Sequence, residues 1–193
     1  MRAFFGIALS EPARSLLADA CDAFRDAAPS WRCEKWVPPA NYHLTLAFLG
    51  EHPRERVEAI AAHAADGLRT RRPFTVALGT VVASPRGRSA TMLWATLAAG
   101  EHESAEIAGI VTDAAENYGI EPPRRPFAAH VTLVRARRPR TAPDDALAQA
   151  SEVLSQRASE GIVSVGEVIL YSSTLTPRGP VYEAIGRLPL HGD

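Results

Sequence analysis

Lysine is almost missing from this chain: Lys35 stands alone, and every other basic residue is an arginine. Any anion the protein meets is therefore met mostly by guanidinium forks, which can bind phosphate bidentately. Net charge is nearly missing too. Lys plus Arg is 21 and Asp plus Glu is 22, a formal charge of −1, which excludes a polybasic tail or a histone-like binder. Cysteine is reduced to Cys21 and Cys33, neither at a CxxC or metal-ligand spacing. That is too few for a disulfide framework. No apolar run reaches the roughly 18 residues of a bilayer span. The opening stretch Met1–Leu9 is short and lacks a signal peptide's cleavage site, so it reads as a first strand and the protein is expected in the cytoplasm. No glycine-rich loop opens a helix, which argues against a Walker or dinucleotide site.

What is there suits a soluble globular chain. The 193 residues are 46% hydrophobic and 22% charged, enough for one domain of two small lobes with a sizeable core. Apolar periodicity predicts a strand over 2–9 and a helix capped by Ser10 with Leu17, Cys21 and Phe24 inward. It predicts a strand over 43–49 and a helix opened by Pro53 with Val57, Ile60, Ala64 and Leu68 inward. A hairpin spans 74–97, a helix covers about 102–118 with Ile107, Ile110, Val111, Ala114 and Tyr118 inward, and a short strand runs from Ala129 to Val134. A basic loop is expected over 135–143, then a fourth helix with Leu147, Ala150 and Leu154 inward. Strands over 162–172 and 181–188 close the chain. The tight turns make these hairpins antiparallel, so the class is α+β rather than a doubly wound parallel sheet.

One pattern stands above this background. His43-Leu44-Thr45-Leu46 returns nearly half a chain later as His130-Val131-Thr132-Leu133, each followed by a helix beginning near a proline, Pro53 or Pro143. The repeat suggests two similar lobes, each delivering one strand to a common centre. In a strand, residues i and i+2 share a face. His43 and Thr45 thus point one way, as do His130 and Thr132, while Leu44, Leu46 and Phe48, and Val131 and Leu133, point into the core. Side by side, the strands offer two imidazoles and two hydroxyls to one ligand. Imidazole titrates near neutrality, so one ring can act as base and the other as acid. The hydroxyls can bond an anion's oxygens. A phosphodiester fits this set best, with no metal implied. Chemistry alone does not say which histidine plays which part.

With these surroundings the chain resembles the 2H phosphoesterase superfamily, and within it the RNA 2′,3′-cyclic phosphodiesterases, historically called 2′-5′ RNA ligases. The resemblance runs from Arg2-Ala3-Phe4-Phe5-Gly6-Ile7-Ala8-Leu9 through Trp36-Val37-Pro38-Pro39, Asn41–Gly50, Leu93-Trp94 and Phe127–Arg135 to Gly179-Pro180-Val181-Tyr182. It implies a bilobal fold, two pseudo-symmetric lobes of antiparallel strands with flanking helices around a central cleft. It implies metal-independent hydrolysis of an RNA 2′,3′-cyclic phosphate to a 2′-phosphomonoester, with no cofactor. It also implies that His43 gives a proton to the leaving 3′ oxygen and His130 takes one from water. Thr45 and Thr132 would hold the non-bridging oxygens, and Arg135 would neutralise developing charge. Strict alternation turns Arg135 away from His130, so its role requires the strand to end or bulge near Val134, or its long side chain to curl round the strand edge. Ala129 stands where the family often has proline.

The expected partner is an RNA or oligonucleotide with a 2′,3′-cyclic phosphate end, bound by a monomer without a membrane. Arg124, Arg125, Arg135, Arg137, Arg138 and Arg140 surround the second motif with only Glu121 against them. They read as a groove for an RNA backbone or as a solvated stretch of an arginine-rich chain. Tyr182 and Trp36 are candidates to stack on a base. Two competing readings are a related enzyme acting on 2′-5′ linkages or cyclic nucleotide-type substrates, and a non-catalytic RNA-binding module. Loss of either histidine would favour the second, and both are present.

Overall fold

The computed structural model describes residues 1–177 and 179–192, and in it nine strands form one antiparallel sheet. In chain order the elements are β1 (Arg2–Ala8), α1 (Glu11–Ala27), β2 (Lys35–Trp36), β3 (His43–Glu51), α2 (Arg54–Leu68), β4 (Phe74–Ser84), β5 (Ala90–Ala99) and α3 (Glu101–Glu116). They continue with β6 (His130–Arg140), α4 (Asp144–Gln156), β7 (Ile162–Val165), β8 (Glu167–Thr176) and β9 (Gly179–Pro189). The strand order is β7-β4-β5-β6-β3-β1-β8-β9, with β2 added alongside β6. No helix among the described residues is long and apolar enough to cross a membrane.

Local chemistry accounts for the helix starts. The Ser10 hydroxyl accepts from the Ala13 N–H, with Pro12 in the first turn where a missing N–H costs nothing. Pro53 and Pro143 sit at the N-caps of α2 and α4. Gly100, at φ 82, lets β5 turn into α3; a Cβ there would lie 2.5 Å from the Thr75 carbonyl oxygen. The inward residues of α1 and α2 are those the periodicity selects, and all are buried. On α3 and α4 the predicted Ile110, Tyr118 and Leu147 are only partly buried, and Ala108, Ala115 and Ala146 are deeper in the core.

The sheet has two halves. Helices α1 and α4 pack together on the β4 side, and α2 and α3 pack together against β3 and β9. The halves meet where β3 lies beside β6, at the single residue pair Leu44 and Val131. Both of these side chains are fully buried, as are Phe5 and Leu93 in the neighbouring strands. Burying each side chain of this kind contributes roughly 1.5–3 kcal/mol, so the seam between the halves is anchored by core packing as well as ladder bonds.

Two expectations of local structure are corrected. Residues 135–140 are not a loop: β6 runs on to Arg140, because β2 and the start of β5 pair along it. Residues 162–172 are not one strand. The chain breaks at Gly166, so β7 joins β4 at one edge while β8 crosses to β1 in the other half. Both surprises have the same cause: pairing partners far away in sequence override local polarity.

Candidate active site

His43 and His130 open β3 and β6, the two strands at the seam. Because Leu44 faces Val131 in an antiparallel pair, the motifs run past each other with their polar residues on the same face. Each ring is anchored alike. His43 Nδ1 lies 2.8 Å from the Asn41 carbonyl oxygen, and His130 Nδ1 lies 2.7 Å from that of Ala128. A carbonyl can only accept, so each Nδ1 carries the proton and each neutral ring keeps its lone pair on Nε2. The Thr45 hydroxyl lies 2.9 Å from His43 Nε2 and donates to it. His130 Nε2 has no hydrogen-bond partner within the described protein. The alanine at 129 loses nothing here, since the anchoring carbonyl belongs to Ala128.

The surroundings of the two rings differ. His43 sits among aromatics, its centroid 4.8 Å from that of Phe4 and 5.2 Å from Tyr182, which meets it edge-on; Tyr171 lies at 6.0 Å. Gly6 makes room for this ring: a Cβ there would stand 3.0 Å from the Leu44 carbonyl oxygen and 3.4 Å from His43 Cδ2. His130 instead lies flat on Trp94, with centroids 3.8 Å apart and planes 20° apart. Burial lowers both imidazole pKa values below the ordinary range, offset by the carbonyl anchors. His130 and Arg135 add electrostatic pressure on His43, and Arg135 does so on His130.

Backbone irregularity decides what else faces the cleft. On β6, Val134 pairs with Leu93 and Thr132 with Trp94, so Leu133 is an extra residue, a β-bulge. Leu133 and Val134 are both buried, and alternation resumes with Arg135 on the cleft face. There Arg135 lies opposite Met92 and donates to its sulfur at 3.1 Å. On β3 the same break occurs at the same place: Thr45 pairs with Gly6 and Ala47 with Phe5, leaving Leu46 extra. Phe48 consequently does not face the core, as alternation predicted. It is 63% exposed, 5.9 Å from Phe4 on the histidine side. Thus the fifth residue after each histidine enters the cleft, an aromatic ring in one strand and a guanidinium in the other.

The structure brings together His43, Thr45, His130, Thr132, Arg135 and Tyr182. Thr132 and Trp94 are paired residues on β6 and β5. Trp36 lies elsewhere. It pairs with Val134 on the core side, packs 6.0 Å from Phe24 and donates its indole N–H to the Trp31 carbonyl. Arg124 and Arg125 are exposed in the loop preceding β6. Sequence reasoning missed Phe48, Trp94 and Gly6. The alternation Met92, Trp94, Thr96 on β5 could have signalled Trp94, but the bulge that exposes Phe48 leaves no local mark. Among the described residues, no three His, Cys, Asp or Glu side chains gather closely enough to hold a metal ion.

Paired histidines on adjacent strands of a curled α+β sheet are the layout of a two-histidine phosphoesterase. The family described as LigT-like phosphoesterase matches this chain over residues 7–94 and 99–182, each segment carrying one motif, and the chain belongs to that family. A Thermus thermophilus protein named RNA 2′,3′-cyclic phosphodiesterase is 30% identical over 200 residues, covering 100% of this chain and 92% of the relative. A Geobacillus stearothermophilus protein of the same name is 32% identical over 173 residues, but the chain spans only 51% of its length. The crystal structure of the Thermus thermophilus protein TT0787 superposes with a TM-score of 0.78 at 26% identity, covering 100% of both chains.

Proposed function

We propose that this protein hydrolyses the 2′,3′-cyclic phosphate at an RNA end to a 2′-phosphomonoester, by metal-independent general acid–base catalysis. The observation that carries the reading is the matched anchoring of two imidazoles: Nδ1–H fixed on a carbonyl two residues upstream, Nε2 presented on one face of adjacent strands. The names of the relatives support the substrate class.

Water attacks phosphorus on the His130 side, and His130 Nε2 takes its proton as the new P–O bond forms. The P–O3′ bond breaks on the other side, and a protonated His43 gives its Nε2 proton to the leaving O3′. The Thr45 hydroxyl turns from His43 Nε2 to a non-bridging oxygen, matched by Thr132, while Arg135 holds the developing charge. Free His43 has a lowered pKa, and the bound phosphate's negative charge raises it toward the protonated form the step requires. Phe48 and Tyr182, which both pack against Phe4, offer a platform for the terminal base. Acid and base are both supplied by the chain, so the proton transfers need no metal.

The test is an assay in EDTA on an oligoribonucleotide ending in a 2′,3′-cyclic phosphate, with the product mapped as 2′- or 3′-phosphate. A 2′-phosphate is expected. A 3′-phosphate would reverse the leaving group, and bound but unreacted RNA would favour the binding-module reading.

A further inference from the structure

The cleft does not end at His130. Beyond it, away from the aromatic side, lies a second cavity of about 290 Å³ whose lining includes His130, Trp94, Thr96, Glu101, Ser84 and Arg86. Its volume sits at the lower edge of ordinary ligand pockets, roughly 300–1,000 Å³, and suits one nucleoside unit. Arg86 is exposed in the turn between β4 and β5 and has no carboxylate or other partner among the described residues. The Trp94 indole N–H is buried without a hydrogen-bond acceptor, an arrangement proteins seldom leave uncompensated.

The distribution of paired and unpaired cations points the same way. Most of the remaining arginines are held by carboxylates, Arg14, Arg54, Arg140, Arg157 and Arg187 among them. The charged side-chain groups of Lys35, Arg86, Arg88, Arg135, Arg137 and Arg138 have no carboxylate within 4.0 Å, and neither do those of Arg124 and Arg125, although the Arg137 backbone N–H donates to the Glu34 carboxylate. All belong to β2, β6, the loop before β6 or the β4–β5 turn, the half that carries the second motif. Away from that half, Arg2 and Arg56 also lack a carboxylate, but the Arg56 guanidinium is spent on the Tyr118 carbonyl. Unpaired guanidinium groups on one side of a cleft make a track for a polyanion.

We propose that this cavity is a subsite for the nucleotide 5′ to the reacting end, with Arg86 binding the phosphodiester that joins the two. The inference rests on the function proposed above. A substrate reacting at its 3′ end continues only through its 5′ oxygen. The His43 side is occupied by Phe4, Tyr171, Tyr182 and Phe48, so the strand leaves across the second motif, over unpaired arginines. The Ser84 hydroxyl and Glu101 carboxylate then meet ribose and base, where both donors and acceptors are needed, with the Trp94 ring as part of the wall. The enzyme is thereby built for oligonucleotides over free cyclic mononucleotides.

The experiment compares kcat/KM for a nucleoside 2′,3′-cyclic monophosphate and a trinucleotide with the same end, in wild type and Arg86→Gln. In wild type the trinucleotide is preferred, and the preference weakens with salt. In Arg86→Gln the trinucleotide-to-mononucleotide ratio falls about tenfold, the size of one charge-assisted contact. An unchanged ratio, or wild-type enzyme without preference for the trinucleotide, overturns the subsite. If neither substrate turns over, the proposed reaction fails, and the subsite is decided by binding of a trinucleotide 2′-phosphate to both proteins. About tenfold weaker binding to Arg86→Gln then supports it, and equal affinity overturns it.

Discussion

Strands β3 and β6 are built to one plan and used differently. Both begin with a histidine whose Nδ1–H rests on a carbonyl two residues back, both place a threonine beside it, and both bulge at the third residue after the histidine. Up to that point they are near copies. They part at the fifth residue, Phe48 against Arg135, and in what covers the ring. An aromatic cluster surrounds His43, and one indole face covers His130. A symmetric scaffold thus holds two equivalent bases, and its neighbours make them unequal. In the proposed reaction the guanidinium lies where phosphate charge grows, and the aromatic ring where a base can stack.

The comparison breaks most sharply at the histidines. His43→Ala and His130→Ala should each lower turnover by at least about 10²–10⁴-fold, with melting temperature little changed because neither side chain builds the core. Near-normal turnover by either variant would remove that ring from the chemistry. Arg135→Gln should cost about 10²–10³-fold in kcat. It should also move both limbs of the kcat/KM pH profile upward, since the Arg135 charge helps hold both imidazoles below their ordinary pKa. An unshifted profile would mean Arg135 acts on neither ring.

Smaller effects sharpen the asymmetry. Phe48→Ala should raise KM about tenfold, the value of one stacked base, with little change in stability because the ring is mostly exposed. A kcat effect alone would argue against a base platform. Trp94→Leu should lower kcat several-fold, roughly the ~1 kcal/mol of a ring facing a developing cation. It should also shift His130 titration, read by NMR, further down in pH; no shift would reduce Trp94 to packing. The smallest effect is on folding. Both imidazoles are held neutral by burial, so the unfolded chain binds protons first. Stability should fall as pH drops through about 6.5 and below. His43→Asn/His130→Asn should flatten that slope in denaturant titrations, whereas an unchanged slope would place its origin elsewhere.

Much of the site was legible because its signal is local. His43 and Thr45, and His130 and Thr132, share faces by strand parity alone, and the repeat of the motif announces a pair. Arg135 and Phe48 were misplaced by the same parity, and for one reason. A bulge changes the face of every residue beyond it, yet it arises from register with a partner strand and not from any composition in the bulged strand. The basic segment 135–140 read as a loop because its side chains are charged. It is strand because β5 and β2 supply ladder partners from elsewhere in the chain. Trp36 read as a candidate for stacking because it is aromatic and near the motif. Its register opposite Val134 turns it toward Phe24 instead.

The sequence by itself determined the class of elements, the inward faces of the first two helices and the two histidine–threonine pairs. These follow from side-chain periodicity and capping, which act over a few residues. Only the tertiary structure decided that β3 and β6 lie side by side, that the break at Gly166 sends β8 to the other half, and that the bulges bring Phe48 and Arg135 into the cleft. It also put Trp94 on His130 and left the cavity beyond it. Each depends on which distant strands pair and in what register, a choice made by burying the whole core at once.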